Sequence, residues 1–186
     1  MIFYNKQKEI LKLQKLINLH TADSIADIGA GIGFYSLGFS KIVENSGMVF
    51  ATEFKSQLLL TLGNKIKSNR ITNITLLQSS NDNCNLQENS VDYIFLRGVY
   101  HHLSNPIKFN SSLYKALKQT GKLVIIDFPP KFFLSLFSPV KNVPANRKGH
   151  GISQEILVNE MSDAGFKLEQ AIPNWVWGRY CLVFKK

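Results

Sequence analysis

Ser24-Ile25-Ala26-Asp27-Ile28-Gly29-Ala30-Gly31-Ile32-Gly33-Phe34 is the stretch on which the fold turns. An apolar strand runs straight into a glycine-dense turn and then into a helix. Glycines at alternate positions let the backbone approach a ligand with no Cβ in the way, and the helix that follows presents its unpaired N–H groups at the same place. Glu53 stands twenty positions beyond Gly33, at the end of a second apolar strand, Met48-Val49-Phe50-Ala51-Thr52. An acid at that position can accept both hydroxyls of a ribose. The dinucleotide fingerprint asks for a third Gly or Ala three residues after the second glycine. Counted from Gly29 and Gly31, that residue is Phe34, which disfavours NAD.

Outward from this turn, the chain alternates strand and helix. Ile10, Leu13, Leu16, Ile17 and Leu19 recur at helical spacing among lysines, predicting an amphipathic helix over 6–19 within an N-terminal segment 1–20. Strand 24–28, helix 33–44, strand 47–53, helix 55–68, and strands 74–77 and 92–96 follow. Ser104-Asn105-Pro106 opens a helix that runs to about Lys118, ahead of strand 122–128. After an aromatic-rich insert over 129–150, Ser153 caps helix 153–164, and strands 166–172 and 179–185 end the chain. The alternation predicts a parallel, doubly wound sheet. Only six residues, Pro173 to Gly178, join the last two strands, too few for a parallel crossover. The expected fold is therefore α/β, a mostly parallel seven-stranded sheet with an antiparallel last strand.

With 186 residues, 45% of them apolar, the chain has the length of a single domain with a proper core, taken as 1–186. Cys84 and Cys181 lie far apart with no metal-ligand spacing, which points to no metal, no disulfide framework and a reducing cytoplasm. The N-terminus lacks a secretory pattern, and no stretch reaches the roughly 18 apolar residues of a membrane span. Basic residues exceed acidic ones by nine, which would suit nucleic acid, an anionic lipid surface or an acidic small substrate. The charge is dispersed, however. Lys6, Lys8, Lys12 and Lys15 read as the solvent face of one helix, and there is no arginine-rich run. A small-molecule substrate is expected, with nucleic acid disfavoured.

The pattern Asp27, Gly29, Gly31, Gly33 resembles the first motif of class I S-adenosylmethionine-dependent methyltransferases. Together with Glu53, Asn89-Ser90-Val91-Asp92-Tyr93-Ile94, Val99-Tyr100-His101-His102-Leu103 and Gly121-Lys122-Leu123-Val124-Ile125-Ile126-Asp127, it is similar to the bacterial small-molecule methyltransferases of the UbiE, or type 11, kind. The resemblance implies a Rossmann-like methyltransferase fold and S-adenosyl-L-methionine as cofactor. It implies that Asp27, Gly29, Ala30, Gly31 and Gly33 form the loop at the methionine moiety, that Glu53 holds the ribose and that Phe54 faces the adenine. For the adenine amine it points to the loop Ser79-Ser80-Asn81-Asp82, with Asn81 or Asp82 as the acceptor and Asp82 favoured. Many members carry Asp or Asn before the strand-four histidines. This chain has Arg97-Gly98, so Arg97 is a candidate contact to methionine or substrate.

Methyl transfer needs alignment in a dry pocket more than it needs acid–base chemistry, and a base is required only when the nucleophile carries a proton. His101, His102 and His150 are the candidates for that base, His101 and His102 because they follow strand four at the ligand edge, where they could instead cap the next helix. The insert Pro129 to His150 reads as a lid over an apolar or aromatic acceptor, a surface that touches lipid, or a packed helix. Two rival functions stand beside a small-molecule methyltransferase. One is a nucleic-acid (RNA) methyltransferase, and the other is a protein that binds S-adenosylmethionine without turnover.

Overall fold

The computed structural model describes residues 2–130, 144 and 150–186. Its elements are α1 (Ile2–Ile17), β1 (Ser24–Ile28), α2 (Phe34–Val43), β2 (Met48–Glu53), α3 (Ser56–Ser68), β3 (Ile74–Gln78), β4 (Val91–Arg97), a 3-10 turn (Tyr100–His102), α4 (Pro106–Ala116) and β5 (Leu117–Asp127). The chain closes with α5 (Gln154–Asp163), β6 (Lys167–Ile172) and β7 (Tyr180–Lys185). The seven strands lie in the order β3-β2-β1-β4-β5-β7-β6. Pairings among the first five are parallel, and β7 runs antiparallel to both β5 and β6. The mixed sheet is as expected. The aromatic insert, apart from Pro129, Pro130, Pro144 and His150, lies outside the described residues.

Several boundaries shift, most at α1, which spans Ile2–Ile17 against the expected 6–19, and at the start of β5. Sequence spacing carries the fourth helix to about Lys118 and starts the next strand at Lys122, whereas α4 stops at Ala116 and β5 begins with Leu117. Leu117 is fully buried and pairs with Val91, and the register slips before Tyr93 pairs with Lys122. The polar residues that look like a helix end are thus absorbed as a bulge in the strand.

Side-chain alternation along the strands feeds two cores, one on each face. On one, Ala26, Ile94, Leu96, Leu123, Ile125, Leu182 and Phe184 meet α4 and α5 through Phe109, Leu113, Leu157 and Met161. On the other, Ile25, Phe95, Val124, Ile126 and Val183 meet α1 and α2 through Ile10, Leu13, Phe39 and Val43. Both cysteines are buried and unpaired, and burial pushes the Cys181 thiol on β7 up to about 12. No helix among the described residues is long and apolar enough to cross a membrane.

The layer containing α1 is held by a charge. Glu9 is 1% exposed, and its carboxylate accepts from Arg97 Nε at 3.0 and 3.1 Å, from Trp175 Nε1 at 2.9 Å and from the Tyr35 hydroxyl. Arg97 therefore faces α1 through its Nε. Lys8, Lys12 and Lys15 on α1 are exposed, as expected, and Lys12 Nζ also lies 3.8 Å from the centre of the Trp175 ring. Across β1, the buried Asp27 carboxylate accepts from Ser36 Oγ at 2.6 Å, pinning the strand to the first turn of α2.

Truncating Glu9 to Ala strands a buried guanidinium and two further donors. It should cost about 3–5 kcal/mol of unfolding free energy by urea denaturation. Burial raises the Asp27 carboxyl to about 6 from 3.8, against the Ser36 hydrogen bond. A folded-state pKa above the unfolded one means that the ionised form costs stability, in full above pH 6 and not at all below about pH 4. Asp27→Asn should therefore gain on the wild type by up to ~3 kcal/mol between pH 4 and pH 8, measured the same way. A pH-independent difference would show that the site does not titrate in this range.

Candidate active site

Parallel strands that end together collect their loops at one edge, and a cavity of about 450 Å³ opens there. Ile28, Gly29, Glu53 and Phe54 line one side. Ser79, Ser80 and Asn81 line the second, and Val99, His102, Leu103 and Phe109 close the floor. Its size and its apolar floor with few polar groups suit a nucleoside-sized ligand.

The glycine turn is built around Glu53. Its Oε2 accepts the Gly31 N–H at 2.9 Å and its Oε1 the Lys55 N–H at 3.0 Å. The amides of Gly29 and Ala30 donate to the Thr52 carbonyl at 2.8 and 2.9 Å, so these two donors are turned into the sheet edge and away from a ligand. What the turn offers is shape. Gly29 has φ +71°, and a Cβ there would sit 2.5 Å from Val99 Cγ2. Gly31 has φ +57° and nothing within 4 Å of where its Cβ would be. The site thus fits the group the sequence pattern implies: an unobstructed backbone at Gly31, a carboxylate beside it with lone pairs to spare, and an apolar slot under Phe54. Gly33 packs on α3, where a Cβ would meet Leu62 Cδ1.

Several expected residues lie elsewhere. Asp27 faces Ser36 in the interior, not the cavity. Asp82, favoured for the adenine amine, directs its carboxylate to α4, accepting from Asn105 Nδ2 at 2.9 Å and Lys108 Nζ at 3.3 Å, while its neighbour Asn81 lines the cavity. Arg97 engages Glu9 and lies outside the cavity lining.

The histidines divide in role. His101 is 3% exposed, and its Nδ1 lies 2.9 and 3.0 Å from the two oxygens of Asp127. Asp127 is fully buried at the end of β5 and also accepts the backbone N–H groups of His101 and Phe128. A carboxylate so placed can only accept, so Nδ1 carries the proton and Nε2 offers a lone pair in the neutral ring. Next to it His102 lines the cavity with ring centres 3.9 Å apart. Burial, with the neighbouring His101, pulls His102 down to about 4, which keeps it neutral at physiological pH. His150 is near enough for its charge to act on His102. Sequence reasoning missed Asp127 as a site residue. The available signal was a lone acid closing an otherwise apolar strand. Among the described residues no cluster of metal-ligating side chains is present.

Comparison with known proteins bears on the family and the fold. The model of the type 11 methyltransferase domain matches residues 26–125, more than half of the chain. The ubiquinone/menaquinone biosynthesis C-methyltransferase UbiE of Haemophilus ducreyi is 24% identical over 110 residues, 59% of this chain and 42% of that protein. A demethylmenaquinone methyltransferase of Geobacillus is 20% identical over 113 residues, 61% of this chain and 48% of its own. The chain thus spans less than half the length of these curated relatives. Among solved structures, a SAM-dependent methyltransferase from Aquifex aeolicus superposes with a TM-score of 0.76 at 25% identity, covering 94% of this chain and 87% of its own. The cyclase SpnF reaches 0.77 at 12% identity over 97% of this chain and 81% of its own, a likeness of fold alone. With the domain match spanning the glycine turn, Glu53 and the histidine segment, the chain belongs to the type 11 methyltransferase domain family.

Proposed function

We propose that this chain is an S-adenosylmethionine-dependent methyltransferase that acts on a small hydroxylated aromatic acceptor, with His101 as the base that takes the acceptor's proton and Asp127 as the group that holds the base in place. The observation that carries the reading is the His101–Asp127 pair, buried at the same sheet edge as the Glu53 cavity. S-adenosylmethionine, when bound, supplies a methyl group on a sulfonium that is already a good leaving group. The residues proposed to hold it are Glu53 at the ribose, the Gly29–Gly31 backbone alongside the methionine chain, Phe54 over the adenine face and Asn81, in place of Asp82, at the adenine amine.

A phenolic acceptor carries its proton at neutral pH. Removing it pushes electron density onto the oxygen and the ring carbons beside it, so either can attack the methyl group. Nε2 of His101 receives that proton while Asp127 stabilises the imidazolium that results. His102, neutral and stacked on His101, contributes an uncharged wall and leaves its neighbour free to take up charge. The names of the quinone-biosynthesis relatives support a ring acceptor, and the C-methyltransferase among them supports carbon as the atom methylated.

Removing the Glu53 carboxylate forfeits charge-assisted bonds and the tether on Gly31. Glu53→Ala should weaken S-adenosylhomocysteine binding by roughly 1.5–3 kcal/mol by isothermal titration, with Gly31→Val weakening it through strain at a positive φ and NAD not binding at all. Wild-type affinity in both variants would remove the cofactor assignment. His101→Gln should lower turnover about 10²–10⁴-fold with S-adenosylhomocysteine affinity intact, and Asp127→Asn should follow it in direction. The assay is release of S-adenosylhomocysteine in the presence of hydroxylated benzenes and naphthalenes. Tight cofactor binding with no turnover across that panel would favour a binding protein without catalysis.

A further inference from the structure

Two arginines meet near the base, and each keeps a buried guanidinium nitrogen with no acceptor among the described residues. Arg97, ending β4, spends its Nε on Glu9, while its Nη2 is buried and has no hydrogen-bond partner among the described residues. Arg179, just ahead of β7, has a buried Nη1 in the same condition and makes no ion pair among the described residues. Burial, reinforced by the charge of Arg97, lowers the Arg179 pKa, which marks the charged form as undercompensated. A guanidinium does not give up its proton to relieve this, so what the site lacks is an acceptor oxygen.

The surroundings say what kind. The Arg179 guanidinium carbon lies 4.8 Å from the centre of the Phe128 ring, and the same ring meets His101 edge-on at 4.8 Å. Trp177, half exposed, lies 5.6 Å from the Arg97 guanidinium. Gly98, at φ +64°, lies against the Arg179 guanidinium, where a Cβ would stand 3.4 Å from Nη1, an ordinary contact distance. None of Arg97, Arg179, Phe128 and Trp177 lines the Glu53 cavity. The pair therefore stands outside that cavity, with the Phe128 ring between Arg179 and His101.

Resting on the function proposed above, we propose that Arg97 and Arg179 bind the carboxylate of the acceptor, making the substrate a hydroxylated aromatic acid held by its acid group and presented to His101 by its hydroxyl. Two N–H groups on two guanidinium ions match the two oxygens of a carboxylate, and the half-exposed Trp177 offers a flat face to an aromatic ring.

Isothermal titration of benzoate, and of its neutral counterpart benzamide, into protein saturated with S-adenosylhomocysteine tests this. Benzoate should bind at least about tenfold more tightly than benzamide. Arg179→Gln should erase the difference, and Arg179→Lys, which keeps the charge but loses the fork, should restore part of it. Thermal melts of both variants report their folding. Equal binding of the two probes, or undiminished benzoate binding in folded Arg179→Gln, overturns the proposal. So does a third pattern, in which Arg179→Gln weakens S-adenosylhomocysteine about tenfold but leaves 5′-methylthioadenosine, which lacks the amino-acid carboxylate, unchanged. The pair would then serve the cofactor. Failure of S-adenosylhomocysteine itself to bind would instead count against the cofactor site, and the benzoate comparison on the free protein would still decide the role of Arg179.

Discussion

The carboxylate of Glu9 is the interaction on which the ligand edge depends. A buried ion is tolerable only when its charge is matched and its lone pairs are filled. Here the donors come from β4, α2 and the β6–β7 connection, so the packing of α1 and the placement of three other segments are one problem with one solution. The Arg97 guanidinium, drawn to α1 by its Nε, is left with one nitrogen unserved. The order of the fold and the unfinished hydrogen bonding at its edge have the same source.

A second carboxylate repeats the device at smaller scale. Glu53 ends β2 and turns back to hold the amide of Gly31 while the next carbonyl upstream, that of Thr52, holds Gly29 and Ala30. The glycine turn is therefore shaped from the neighbouring strand, and its geometry exists because β1 and β2 run parallel and in register to their ends. Asp127 does the same for His101 from the end of β5. Each of these acids closes a strand and fixes the loop of a neighbouring strand.

How far this was legible in the sequence depended on whether a residue's partner lay nearby in the chain. The strands were readable because parallel strands buried on both faces are continuous apolar runs, and the reversed ending was readable because a six-residue connection forbids a crossover. The start of β5 was not, because Lys118 to Gly121 are polar and enter the ladder only through a bulge set by β4. Glu9 was invisible among lysines, since its partner Arg97 is 88 positions away. Asn81 and Asp82 are equivalent as acceptors on paper. Asn105 and Lys108 on α4 settle their orientation by claiming Asp82.

The two buried thiols carry a consequence of another kind. Cys181 sits on β7 between its two antiparallel partners, and Cys84 in the loop beyond β3, its amide donating to Ser112 on α4 at 3.0 Å. Burial suppresses the thiolate at both, and only a thiolate reacts readily with an alkylating reagent. Each cysteine is thus a built-in clock for the opening of its own surroundings, one for the sheet beside the arginine pair and one for the loop after β3, and the spread between their labelling rates measures how independently the two halves of the sheet's carboxyl edge breathe.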